Sequence, residues 1–236
     1  MSRAADLDRF YDLLGRLEAE VGGKRRLADC TGHMDWPERG VYLFFSSEET
    51  RDASDRLRVT RVGTHAVSTG SGTSLWNRLR THRGANRGSY EGGGNHRGSV
   101  FRKQVGRAMI ERDGLGGEYP HWGEGSTADR ERRLAELAHE RRVSEYIRDL
   151  PFLWVDVDDE PGPESDRAYI ERNAIALVSN YEKAAVDARS DEWLGLESPR
   201  DEIAASGLWN ITHVRKRHET AFLYRLADAV SGTSGL

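Results

Sequence analysis

Gly40-Val41-Tyr42-Leu43-Phe44-Phe45, then Arg58-Val59-Thr60-Arg61-Val62-Gly63, then Leu75-Trp76-Asn77-Arg78-Leu79-Arg80-Thr81-His82, is the stretch whose reading decides the fold. The first two segments are rich in β-branched and aromatic residues, and the second alternates polar and apolar positions, as strands do. Ser46 to Arg56 is polar and turn-like, so the pair reads as an antiparallel hairpin with a long loop. Ser74 is a suitable N-cap for a helix running through His82. On that helix Arg78 and His82 stand one turn apart and share a face. A tyrosine, an arginine and a histidine beside a sheet edge suit an anionic substrate.

Working outward, Leu7, Phe10, Tyr11, Leu14, Leu17 and Val21 recur at helical spacing until Gly22-Gly23 stops the pattern. Downstream, Arg83 to Gly98 is rich in Gly, Arg and Asn and reads as a mobile loop. Ser99 to Arg112 and Ala128 to Tyr146 read as helices, separated by a Gly-rich break. Phe152 to Val157 is a third strand, and a helix begins at Ser165 or Asp166 and runs through Asn180. A C-terminal helix is expected from His213 to Val230. The chain therefore divides into an N-terminal helical extension (1–36), an α/β core (37–181) carrying a basic insertion at 83–150, and a C-terminal helical region (182–236). The fold class is α/β (α+β): a small three-stranded antiparallel sheet flanked by helices.

Composition narrows the function classes. The 236 residues carry a net charge of −4 and one cysteine, Cys30, which excludes a disulfide framework and a thiolate zinc site. No apolar run approaches a membrane span and no secretory signal is legible at the N-terminus, which points to the cytoplasm. The charge is unevenly spread. Between Ser74 and Ala108 stand eight Arg or Lys residues against Glu91 alone. A basic stretch inside an acidic protein reads as a local phosphate-binding face, set against the plainer reading of a solvated arginine-rich surface.

The candidate chemistry rests on few side chains. A tyrosine in water ionises at roughly pH 10, so a phenolate near neutrality needs positive charge nearby; Arg61, Arg78 and His82 are the candidates to supply it for Tyr42. His65, just past the second strand, is an alternative base. Arg78 offers a planar fork to a phosphate, or simply lies over Leu75 and Leu79. Glu171, near the start of the helix after the third strand, can hold one Mg²⁺ whose remaining ligands are water and phosphate, or can simply favour the helix dipole. His33, His139 and His218 read as structural or solvated.

In this order, these segments resemble the GIY-YIG nuclease superfamily over roughly residues 38–82 and 151–181. Gly40-Val41-Tyr42 matches its first signature, and Arg61-Val62-Gly63 matches the second in its glycine and apolar residue. Leu75 to His82 looks like the arginine helix, with the histidine one turn later that restriction-type members carry. Glu171 stands where the family keeps its metal-binding glutamate. The resemblance implies metal-dependent DNA endonuclease activity with Mg²⁺ or Mn²⁺. It implies Tyr42 as base or water-orienting group, Arg78 as the stabiliser of transition-state charge, and an asparagine supplied by Asn180 or else Asn210. The second signature has Arg61 in place of its tyrosine, and Thr64-His65 where a lysine is usual, so His65 is a candidate replacement base. Duplex DNA is the expected partner, gripped by Arg61, Arg80, Arg83, Arg87, Arg97, Arg102 and Lys103, with Asn95 and His96 beside them. The alternative is a catalytically impaired nucleic-acid-binding module on the same fold; a protein or RNA partner for the basic loop is a third.

Overall fold

A computed structural model describes residues 2–236. Among them, eight α-helices surround one four-stranded antiparallel sheet: α1 (Arg3–Glu20), β1 (Arg25–Arg26), β2 (Gly40–Arg51), β3 (Ser54–Gly63), α2 (Leu75–Arg83), α3 (Val100–Asp113), α4 (Arg130–Ala135), α5 (Leu137–Asp149), β4 (Pro151–Asp156), α6 (Asp166–Val178), α7 (Asp201–Ser206) and α8 (Phe222–Gly232). The sheet order is β1-β4-β2-β3. The three expected strands form its body, and the fourth is the two-residue β1, paired with Pro151 and Phe152. So short a segment shows no alternation and is invisible to a period-2 reading.

The hairpin differs from expectation in one respect. β2 runs on to Arg51 and β3 begins at Ser54, so the polar stretch is strand and the connection is tight. Its polarity is satisfied by ion pairs: Glu49 with Arg58 at 2.7 Å, and Arg51 with Asp187 at 2.5 Å. Register shifts between Phe44 and Thr50 bend the ribbon there. The helix expected over Ala128 to Tyr146 is two helices meeting at Glu136. The C-terminal helix begins only at Phe222, with His213 in a left-handed conformation upstream (φ 65°).

Register puts Tyr42 opposite Gly63 and Phe44 opposite Arg61. On β4, Trp154 and Phe152 are their partners. All share one face by the two-residue period. Onto that face pack α2, through His82 against Tyr42, and α3, through Phe101 against Phe44 with ring centroids 5.3 Å apart. Helices α1, α6 and α8 contact one another and the sheet as a second layer. Burial runs without a break from Leu7 and Phe10 through the strands to Phe222 and Leu226.

β3 is the outer strand, and its free edge is covered. The Trp209 N–H donates to Thr60 O at 2.7 Å, and the Asn210 amide takes the Val62 N–H at 3.1 Å while donating to Val62 O at 2.9 Å. One side chain thus imitates a strand neighbour and removes an edge open to pairing.

Candidate active site

Tyr42 reaches the site because Gly63 faces it. A Cβ at Gly63 would collide with the phenol ring and its oxygen, so the second signature's glycine is the space through which the tyrosine passes. The Tyr42 hydroxyl lies 2.8 Å from His82 Nε2, and His82 Nδ1 lies 2.8 Å from Ser99 Oγ. Ser99 is the N-cap of α3, where its oxygen accepts the Arg102 N–H. Its one hydroxyl hydrogen has no acceptor but His82 Nδ1 among the described residues. Two arrangements satisfy the ring: Ser99 donates to Nδ1 and the imidazole proton sits on Nε2 toward the Tyr42 oxygen, or Tyr42 donates to Nε2 and the proton sits on Nδ1 toward Ser99 Oγ. His82 is wholly enclosed, caged by Tyr42, Phe44 and Phe101. Burial, then the charges of Arg78, Arg61 and Arg102, hold its pKa well below the usual histidine range, so it is neutral.

Arg78 carries a charge that acts on both the tyrosine and the glutamate. The Tyr42 phenol, outweighing burial, raises its pKa above the ordinary arginine value, and Glu171 adds to this. One guanidinium nitrogen donates to Gly98 O at 3.3 Å, while Nε is buried without a partner. Glu171 Oε1 accepts the Thr64 N–H at 3.1 Å, and Oε2 makes no hydrogen bond or ion pair among the described residues. Burial raises the Glu171 pKa against the opposing pull of Arg61, the Thr64 N–H and Arg78. A costly carboxylate with one free oxygen fits a divalent cation, whose charge would offset that cost. No cluster of three or more His, Cys, Asp or Glu able to hold a metal occurs among the described residues. A one-carboxylate site of this kind suits a cation that keeps its waters.

The structure places the other expected site residues elsewhere. His65 accepts the Gly40 N–H on Nε2 at 3.3 Å and donates from Nδ1 to Thr73 O at 2.6 Å, leaving no free nitrogen for a base. Its pKa falls to about 4, chiefly through burial. It belongs to a clasp in which Thr64 Oγ1 donates to Gly40 O at 2.8 Å and the buried Arg167 donates to His65 O at 2.7 Å. Ala66, at φ 53°, is the turn that this clasp holds in a left-handed conformation. Asn180 lies past the end of α6, whose last residue is already about 10 Å along the helix axis from Glu171, and is bound to Arg3 and the Val186 N–H. Asn210 caps the β3 edge as described.

Of the residues expected to grip nucleic acid, Arg61 faces the site: it donates to Trp209 O at 3.0 Å, lies 5.6 Å over Phe101, and keeps Nε unpaired. Arg80 and Arg87 are exposed, and Lys103 is half-buried. Arg83 is buried over Trp76, with its guanidinium bound to Cys30 O. Arg97 and Arg102 are not available. Arg97 makes two bonds to Glu136, and Arg102 is fully buried on Glu140, which also binds His96. The stretch expected to be mobile is instead closed on itself: Ala85 and Gly93 bond through Ala85 N–H to Gly93 O at 2.7 Å, and Arg148 binds the carbonyls of Arg83 and Ala85. Gly84, at φ 85°, permits that closure, since a Cβ there would strike Gly93 O.

Ser99 is the functional candidate that sequence reading passed over. Its only sequence signal is a serine before an apolar helical run, which marks a cap and says nothing of a histidine 17 residues upstream. No helix among the described residues is long and apolar enough to cross a membrane. No curated protein and no solved structure matches the chain. A family model described as GIY-YIG domain matches residues 1–235. With the first-signature tyrosine, the second-signature glycine that admits it, the arginine bound to Gly98 O and the glutamate bound to the Thr64 N–H, the chain belongs to the GIY-YIG nuclease superfamily.

Proposed function

We propose that this protein is a metal-dependent DNA endonuclease that hydrolyses phosphodiester bonds. The observation that carries this reading is Arg78, whose charge acts on both the Tyr42 phenol and the Glu171 carboxylate and whose Nε is buried without a partner. A phosphate entering there meets a donor at the equatorial oxygens, where charge develops in the transition state. The Tyr42 hydroxyl, beside His82 Nε2 and the Arg78 charge, orients an attacking water, whose proton passes to solvent as the new P–O bond forms. The bond to the leaving oxygen breaks on the opposite side. Glu171 Oε2 would hold Mg²⁺ or Mn²⁺, which supplies charge neutralisation at the phosphate. Duplex DNA is the substrate proposed, with Arg80 and Arg87 contacting its backbone.

Incubation with supercoiled plasmid tests the reading. Nicking or linearisation in Mg²⁺ or Mn²⁺, none in chelator, and loss of both in Glu171→Ala are expected. Arg78→Ala is expected to lower the rate by about 10²–10³-fold, the scale of a lost oxyanion donor. The absence of the second-signature tyrosine and the engagement of both His65 nitrogens favour, as the second reading, a module that binds without cutting. Binding without nicking across metals and pH would establish that reading in place of the first.

A further inference from the structure

Helix α2 has two working faces. Arg78 acts on Tyr42 and Glu171, while Trp76, Arg80 and Arg83 line an open basin of about 790 Å³ together with Arg87, Tyr90 and Arg133. That volume lies within the range of small-molecule sites and far exceeds what one phosphate fills. Every charged residue lining the basin is an arginine, and none of the four pairs with a carboxylate among the described residues. Burial and the like charges of Arg148 and Arg80 lower the Arg83 pKa, a cost that an anion would relieve.

The basin is also built of planes. The Arg133 guanidinium lies 3.7 Å over the Tyr90 ring, and that of Arg83 lies 4.9 Å over Trp76. The Arg133 guanidinium makes no hydrogen bond or ion pair among the described residues, which leaves its edge free for phosphate oxygens, whereas Arg83 already holds Cys30 O; the aromatic rings and guanidinium groups together accept a base. A duplex backbone presents its phosphates as a ridge to a surface; it has nothing to put into a recess between two aromatic–arginine stacks. A nucleotide swung out of the helix does. The recess adjoins the cutting site, because Gly98 lines it and the same Gly98 carbonyl accepts from Arg78 at 3.3 Å.

We propose that this basin is a subsite for one extrahelical nucleotide of a DNA strand, next to the scissile phosphate. The substrate class is then DNA carrying an unpaired or readily flipped nucleotide beside the cut. The proposal rests on the nuclease reading for the word scissile, and its test is a binding measurement that needs no cleavage.

In chelator, two duplexes that differ by one unpaired 2-aminopurine are compared for affinity and for fluorescence of the probe base. The duplex with the unpaired base is expected to bind at least about tenfold tighter, since its unstacking cost is already met. In Tyr90→Ala that ratio is expected to fall to about one, with paired-duplex affinity changed less than threefold; Tyr90→Phe, which keeps the ring, is expected to keep the preference. Tyr90 is a partly exposed loop residue outside the core, so its loss leaves the fold intact. Equal affinity of the wild type for the two duplexes, or a preference undiminished in Tyr90→Ala, would overturn the proposal. Failure of the nuclease reading shows differently: no substrate is cut in Mg²⁺ or Mn²⁺, while the binding preference persists.

Discussion

At the residue scale, Glu171 and Ser99 set the state of the site. Burial raises the Glu171 pKa, so its ionised form is the disfavoured one in the folded protein. A carboxylate raised in this way lowers stability as pH rises from its unfolded value, about 4.3, through its folded value. Glu171→Gln is therefore expected to raise the melting temperature in chelator at pH 8 and to leave it unchanged at pH 4, while cleavage is lost at every pH. A lower melting temperature at pH 8 would mean that the Thr64 bond outweighs the buried charge. For Ser99, the expected result is an Nε2–H tautomer of His82 by ¹⁵N NMR, surviving in Ser99→Thr and altered in Ser99→Ala. Loss of the cap alone costs about 1 kcal/mol and leaves ring nitrogen shifts in place, so the two roles separate; an Nδ1–H tautomer in the wild type would show that Tyr42, and not Ser99, donates to the ring.

At the element scale, the strand–strand–helix order and the later helix bearing Glu171 were legible because each carries a local signal: alternation, a capping serine, a glycine stop. The meeting of Tyr42, Arg78 and Glu171 was legible only through resemblance, since register across β2 and β3 and the aim of α6 are long-range facts. Charge misled for the same reason. Arg97 and Arg102 look free in sequence because their carboxylates, Glu136 and Glu140, arrive 39 and 38 residues later on the next helices. His65 reads as a spare base in sequence because no local pattern reveals that Gly40 and Thr73 take both its nitrogens. The difference between bound and unbound arginines is measurable. Arg80→Ala and Arg87→Ala are each expected to lower the slope of log affinity against log salt by about 0.9 on duplex DNA. Arg102→Ala is expected to leave that slope unchanged and to cost roughly 3–5 kcal/mol of stability in urea, because it strands a buried carboxylate. An Arg102→Ala protein of wild-type stability with a reduced slope would return that residue to the interface.

At the scale of the whole molecule, the site and the fold share their acid sensitivity. The clasp of Thr64, His65 and Ala66 joins the start of β2, the end of β3, the loop before α2 and the second helical layer through Arg167. His65 titrates near 4 in the folded chain against about 6.5 unfolded, and His82 lies well below its usual range. A depressed histidine contributes stability that is whole above the unfolded value and lost as pH falls toward the folded one. From about pH 6.5 down to 4 the His65 contribution alone amounts to roughly 3 kcal/mol. Glu171 works against this loss as it takes up its proton, whereas Glu140, held to about 2 mainly by His96 and Arg102 against its burial, loses its contribution only below the ordinary carboxylate range. Two acid limbs are therefore expected in the unfolding free energy, the upper from histidines and the lower from carboxylates. His65→Gln is expected to lessen the slope of the upper limb and leave the lower one. Because the clasp presents the Thr64 N–H to Glu171, the protection of the Thr64 amide, taken relative to its intrinsic exchange rate at each pH, is expected to fall below pH 6 before protection in β4 does. A single limb confined below pH 4.5, unchanged in His65→Gln, would show that the clasp opens only when the whole molecule does.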